Sequence, residues 1–142
     1  MHLRRKFATF LGKSPADRML VCEAIVMLAL ARLIVITVPF RMLAPWLSRA
    51  PDTNLPAAVL LVRVRKAVTT AARNVPWNAV CLPQAMAAKA MLARRGCGSV
   101  FHLGAAFDPN GKLIAHAWLM VGDTVVVGAA GIPGMSPLAR FG

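Results

Sequence analysis

The stretch between Ser14-Pro15 and Pro39 constrains the fold of this chain more than any other. It holds MLVCEAIVMLALARLIVITV, apolar almost throughout. Ser14 can cap a helix, Pro15 suits the first helical position, and Asp17 three residues on completes a capping box. The run predicts one helix over residues 15–38, stopped by Pro39 and about 36 Å long at ~1.5 Å per residue. That length is enough to span a bilayer. Glu23 and Arg32 interrupt it, and Arg32 falls near the middle, where insertion costs roughly 2.5–3.5 kcal/mol. A soluble core helix tolerates one charge at each exposed stripe. The expectation is therefore a long helix buried on most faces by protein, with membrane burial as the alternative.

Composition narrows the function classes. The 142 residues carry 17 Lys and Arg against 5 Asp and Glu, a formal charge of +12, yet 58% are hydrophobic. Disorder needs low hydrophobicity together with high charge, so it is excluded. Asp17, Glu23, Asp52, Asp108 and Asp123 are scattered, which argues against a carboxylate-rich metal site or a glycosidase pair. Three Cys, none in a CxxC pair, give neither a zinc motif nor a disulfide framework. No metal and no cofactor are expected. With no Tyr and nine Phe and Trp in all, a stacking platform for single strands is poorly supplied, and no nucleic-acid partner is expected. The basic opening MHLRRKF lacks the apolar core and cleavage site of a secretory signal, and a reducing cytoplasm fits the cysteines.

Downstream of Pro39, PFRMLAPWLSR reads as a short amphipathic piece, and Pro51-Asp52-Thr53-Asn54 as a turn. A second helix is predicted from Pro56 to Arg73, with Arg63, Arg65, Lys66 and Arg73 on or near its polar side. After Pro76 the pattern changes. Residues 81–95, CLPQAMAAKAMLARR, read as a helix with Gly96 as its C-terminal cap. Period-two runs follow: SVFHLGAAF, KLIAHAWLMV and TVVVG, separated by the turns Asp108-Pro109-Asn110-Gly111 and Gly122-Asp123. The prediction is an α+β chain with a helical N-terminal portion (1–74) and a core (75–142) of one helix and a small antiparallel sheet. Residues 131–142 read as an irregular tail.

Cys81 begins a helix, where the positive end of the dipole favours a thiolate and free amides can stabilise an oxyanion. His116 lies on the second strand between Ala115 and Ala117, small neighbours that leave the imidazole approachable. A lone Cys in an Ala-rich helix is ordinarily a small buried hydrophobe, as Cys22 and Cys97 are read to be. The order of the elements carries more: a thiol at a helix start, then strands, then His on a strand. That is the layout of papain-like and transglutaminase-like folds.

The string Val75-Pro76-Trp77-Asn78-Ala79-Val80-Cys81-Leu82, the Leu92-Ala93-Arg94-Arg95-Gly96 helix end, Leu103-Gly104 and Ala115-His116-Ala117-Trp118 together resemble the lasso-peptide maturation proteases. These are transglutaminase-like cysteine proteases, here in the separate form called B2. The upstream ADRMLVCEAIVMLALARL and VPFR segments resemble the family's helical N-terminal portion. The resemblance implies a leader peptidase with Cys81 as nucleophile and His116 as base and acid, acting through an acyl-enzyme. It implies three partners: the precursor leader peptide, a separate leader-recognition protein, and an ATP-dependent lasso cyclase that closes the ring afterwards. The helical portion begins almost at Met1, so the split form without a fused recognition domain is expected.

One position departs from the family pattern. The family's third catalytic residue is an Asp about twelve residues beyond the His, where this chain has Gly128. Asp123 is the one nearby acid and the candidate third residue, but the hairpin puts it roughly 20 Å along the strand from His116, at about 3.4 Å per residue. In the straight register Val121 faces Thr124 and His116 faces Ala129. The alternatives are a Cys–His dyad, help from Asn78 or Gln84, or a backbone carbonyl that sets the tautomer. Gly128→Asp is expected to raise activity by supplying the carboxylate. Two other functions fit the residues: acyl transfer to an amine on the same fold, and a basic, membrane-associated binding protein with Trp46 and helix 56–73 at the lipid surface. The expected location is the cytoplasm, with membrane-surface contact as a further partner.

Overall fold

The long helix forms as α2, Pro15–Thr37, in a computed structural model that describes residues 2–48 and 56–141. The predicted turn at Pro51-Asp52-Thr53-Asn54 lies outside the described residues. The cap is reciprocal: Ser14 Oγ accepts the Asp17 N–H at 3.2 Å and donates to Asp17 Oδ2 at 2.8 Å. Val38 is already extended at φ −112°, as a residue before proline must be. Among the described residues four more helices accompany it: α1 (His2–Leu11), α3 (Phe40–Leu47), α4 (Ala58–Ala72) and α5 (Cys81–Ala93). The basic opening thus forms a separate helix within the helical N-terminal portion, ahead of the Ser14 cap.

α5 is the centre of the molecule. Pro83, the run from Ala85 to Lys89, Met91 and Leu92 are all buried, so the helix is covered on every side. On one side lie α2, through Leu20, Ala24, Leu28 and Ala31, and α4, through Leu61, Val64 and Val68. On the other lies the sheet. Small side chains at 85, 87 and 88 let these layers approach closely, and a single hydrophobic cluster runs through all of them. Gly96, at φ +70°, closes the helix: its N–H reaches Ala93 O and the Cys97 N–H reaches Leu92 O, each at 3.0 Å.

The sheet is antiparallel with order β3-β2-β1-β4: β1 (Val100–Phe107), β2 (Leu113–Val121), β3 (Thr124–Val127) and β4 (Ser136–Phe141). The α+β class holds. The irregular tail does not: residues 136–141 form β4 on the free edge of β1, with Phe141 packed on Phe101 and Phe40. Pro137 disguised it, since proline inside a run reads as loop, whereas an edge strand tolerates it. The opposite edge is sealed by Arg65 of α4, whose Nε donates to Val126 O at 2.8 Å and whose Nη2 donates to Val125 O.

Burial of α2 differs from the expectation. Five of its 23 residues are buried, while Met19, Val26, Leu30, Leu33 and Ile36 are exposed. Glu23 and Arg32, the charges inside its apolar run, are both engaged, although Arg32 is exposed. Glu23 binds Arg95 through both carboxylate oxygens, at 2.9 and 2.7 Å, and Arg94 at 3.1 Å, at the C-terminal end of α5. Arg32 donates to the carbonyl of Asn78 at 3.3 Å, just before α5 begins. The charges that broke the apolar run therefore pin both ends of the central helix.

Glu23→Gln tests the first of these clamps. The hydrogen bond from Arg95 holds the Glu23 carboxyl below its ordinary 4.5 against the opposing effect of burial, with the Arg95 and Arg94 charges adding to it. A lowered folded value means the contribution is complete above pH 4.5 and is lost as pH falls through that lowered value. The substitution is expected to cost about 1 kcal/mol near neutrality. Thermal unfolding curves of the two proteins should converge in acid.

Candidate active site

Cys81 is the first residue of α5, half-buried, and follows an extended Val80. The first backbone bond of the helix runs from Gln84 N–H to Val80 O at 3.2 Å. Helix geometry therefore leaves the Cys81 and Leu82 amides without an acceptor in the helix, and Pro83 has none to offer. The approach to the thiol is fixed from two directions. Arg32 holds Asn78 O, and Gln84 Nε2 folds back onto Ala79 O at 2.6 Å. Trp77, Ala79 and Leu82 pack against the core around it.

The opposite end of α5 is tied to the start of β1, because buried Lys89 donates from Nζ to Ser99 O at 2.8 Å. Burial holds the Lys89 ammonium below its ordinary pKa. β1 then runs back toward the start of α5, and β2 begins there. From Ala93 to Cys81 the helix spans roughly 18 Å at ~1.5 Å per residue. From Val121 to His116 the strand spans roughly 17 Å at ~3.4 Å per residue. Cys81 and His116 thus lie toward the same end of the helix–sheet pair but on opposite sides of the sheet, because alternation along β2 turns His116 away from the helical core.

His116 sits on the sheet face that alternates with Ala117 and Leu119, the residues that join the helical core. It shares this face with Trp118, and the rings stack with centroids 6.1 Å apart. Trp118 also stacks on His102 at 5.3 Å, interplanar angle 3°. The Trp118 ring lies across Gly104, where a Cβ would come within 2.9 Å of it. Gly104 is thus glycine because the indole occupies the space. His102, kept below its ordinary pKa by burial and by Arg140 on β4, serves as the far plate of this stack.

The ring of His116 is oriented by main chain. Its Nε2 lies 2.7 Å from the carbonyl oxygen of Gly128. Val121 faces Thr124 as the straight register requires, but a shift between Leu119 and Met120 pairs Leu119 with Val127, where β3 ends. Gly128 then turns at φ +90° into a short 3-10 turn, Ala129–Gly131, and presents its oxygen to the imidazole. Arg65 steadies the strand just before this turn. Neither Arg65 nor the register shift was legible in the sequence. Their only trace is a basic residue on the polar side of a helix.

Asp123 occupies the exposed tip of the β2–β3 hairpin, next to Gly122 at φ +56°. Among the described residues it makes no hydrogen bond to His116. Gln84 Nε2 is engaged with Ala79 O and, among the described residues, no hydrogen bond joins the Asn78 side chain to His116, so the backbone carbonyl is the group found at the ring. Cys81 Sγ likewise has no hydrogen-bond partner among the described residues. Cys22 is exposed on α2 and Cys97 is buried. Among the described residues no three His, Cys, Asp or Glu side chains cluster to hold a metal.

The sequence matches the transglutaminase-like superfamily over residues 24–140. The chain belongs to that superfamily. Among curated proteins and among solved structures, none matches it. The transglutaminase-like match begins within α2 and ends within β4, so it takes in every element that builds the site. This superfamily includes cysteine proteases, and its chemistry is of the cysteine-protease or acyltransferase type.

Gly128 in this transglutaminase-like chain cannot be exchanged freely. A Cβ there would lie 2.7 Å from Ala117 O and 2.8 Å from Trp118 Cβ, at a φ that L-residues rarely adopt. The expected gain from Gly128→Asp is therefore reversed. Backbone strain and overpacking together put the cost of Gly128→Ala at about 2–4 kcal/mol. Denaturant unfolding measures that cost, and Gly128→Asp should be no more stable and no more active than the parent.

Proposed function

We propose that this protein is a leader peptidase, a cysteine protease that removes the leader from a ribosomally made lasso-peptide precursor before ring closure. The observation that carries the reading is the His116 Nε2–Gly128 O contact. A carbonyl can only accept, so neutral His116 must carry its proton on Nε2 and its lone pair on Nδ1. That is the tautomer of a base whose second nitrogen is free to take a thiol proton. Gly128 O does here what a carboxylate does in a triad, holding the ring without a charge.

Cys81 loses its proton to His116 Nδ1 and attacks the scissile carbonyl. The oxyanion that forms is met by the free amides at the start of α5. The imidazolium then protonates the leaving amine, and water, activated by the same nitrogen, hydrolyses the acyl-enzyme. The step requires substrate binding to bring thiol and imidazole together, since alternation along β2 turns His116 away from the helical core that carries Cys81. A dipole stabilises imidazolium less than a carboxylate does, so the base works as part of a dyad. The partners of this reading are the precursor leader, a separate leader-recognition protein and the ATP-dependent cyclase.

The test is mass spectrometry of a lasso precursor incubated with this protein and its leader-binding partner. Release of intact leader and core supports the reading. An intact precursor with a correctly folded protein counts against it, and transfer of the peptide to an added amine would favour acyl transfer instead.

A further inference from the structure

Among the described residues, twelve of the nineteen exposed large apolar side chains lie on α1, α2 and α3. On α2 they form a stripe at helical spacing, Met19, Val26, Leu30 and Leu33, with Met19 74% and Leu33 58% exposed. α1 places Phe7, 64% exposed, and Leu11 beside Arg4, Arg5 and Lys6, with no acid in the helix. α3 adds Met42 and Trp46. Soluble monomers rarely leave an apolar stripe of the length seen on α2 uncovered.

We infer that the exposed stripe of α2, together with the adjoining basic helix α1, docks on an anionic lipid bilayer, with α2 lying in the plane of the surface. Charge selects this occupant. The chain carries +12, and two of its five acids, Asp17 and Glu23, are already paired with Arg63, Arg94 and Arg95. A second copy would set +12 against +12, whereas an anionic surface attracts it.

Packing selects the orientation. Leu20, Ala24, Leu28 and Ala31 on the inner side of α2 are packed on α4 and α5. α4 carries Arg63, Arg65 and Lys66, and the ends of α5 are bound to Glu23 and Arg32 through Arg95 and Asn78. A helix crossing the bilayer would take these groups into hydrocarbon or abandon them. Lying flat, α2 sinks its stripe about 5–10 Å and leaves the rest of the protein in water.

Flotation with vesicles tests this on the full chain. Phosphatidylcholine alone is compared with an equal mixture of phosphatidylcholine and phosphatidylglycerol, at low salt and at about 1 M salt, where screening is complete within ~3 Å. Binding to the anionic vesicles alone, weakened by salt, is expected. Met19→Glu with Leu33→Glu, and separately Arg4→Glu with Arg5→Glu and Lys6→Glu, should each weaken it at least about tenfold. These sites are exposed, so thermal unfolding should stay close to that of the parent. No binding to anionic vesicles by the folded parent overturns the proposal. So does binding that both variants retain. Equal, salt-resistant binding to neutral vesicles would show insertion instead, and a dimer dissolved by Leu33→Glu without vesicle binding would show a second copy.

Discussion

Cys81→Ala is expected to abolish leader removal, with a loss of at least about 10⁴-fold, because no other group in the site can form the acyl-enzyme. The substitution is small and apolar at a half-buried helix start, so folding should be preserved. Two further cysteines make the test specific. Cys22 is exposed on α2 and Cys97 is buried behind the Gly96 cap. Cys22→Ala and Cys97→Ala should leave turnover within a few-fold when cleavage is followed by mass spectrometry. Cleavage by folded Cys81→Ala would remove the protease reading outright.

His116→Ala is the second large effect, a fall in turnover of roughly 10²–10⁴-fold. The imidazole is part-buried and contributes one hydrogen bond to Gly128 O, so the stability cost should be small beside the kinetic one. His102→Ala gives the contrast. That ring stacks on Trp118 at 5.3 Å and carries no part of the proton path, so its loss should appear in thermal stability before turnover. Asp123→Ala should change neither, since the hairpin tip is solvated and remote from the ring. If His116→Ala and His102→Ala proved equal in both readouts, His116 would be a packing residue. A fall of two decades in folded Asp123→Ala would instead make the tip acid the orienting group.

Much of the frame could be read from local pattern. Ser14-Pro15 and Pro39 bound α2 because capping and the proline restriction act within a few residues. Gly96 ends α5, and the Asp108 and Gly122 turns close the hairpins, for the same reason. Cys81 at a helix start and His116 on a strand followed from those boundaries. The misses are equally physical. β4 was hidden by Pro137, since only pairing with β1 reveals that its missing N–H is harmless. α1 was not marked off as a separate helix because a basic ten-residue segment has no periodic run long enough to announce one.

Sequence by itself determined the class of fold, that Cys81 would start a helix and His116 sit on a strand, and that α2 would be one continuous helix. Each of these depends on side-chain type and on neighbours a few positions away. Tertiary structure alone decided what those residues touch. Glu23 and Arg32 look like interruptions of an apolar run until α5 is seen between their partners. Gly128 looks like a missing acid until the register shift at Leu119 turns its carbonyl onto His116 and fills the space a side chain would need. A backbone carbonyl is present at every position, so no residue code marks the one that orients a ring. Only the path of the chain, set by packing far from that point, makes the choice.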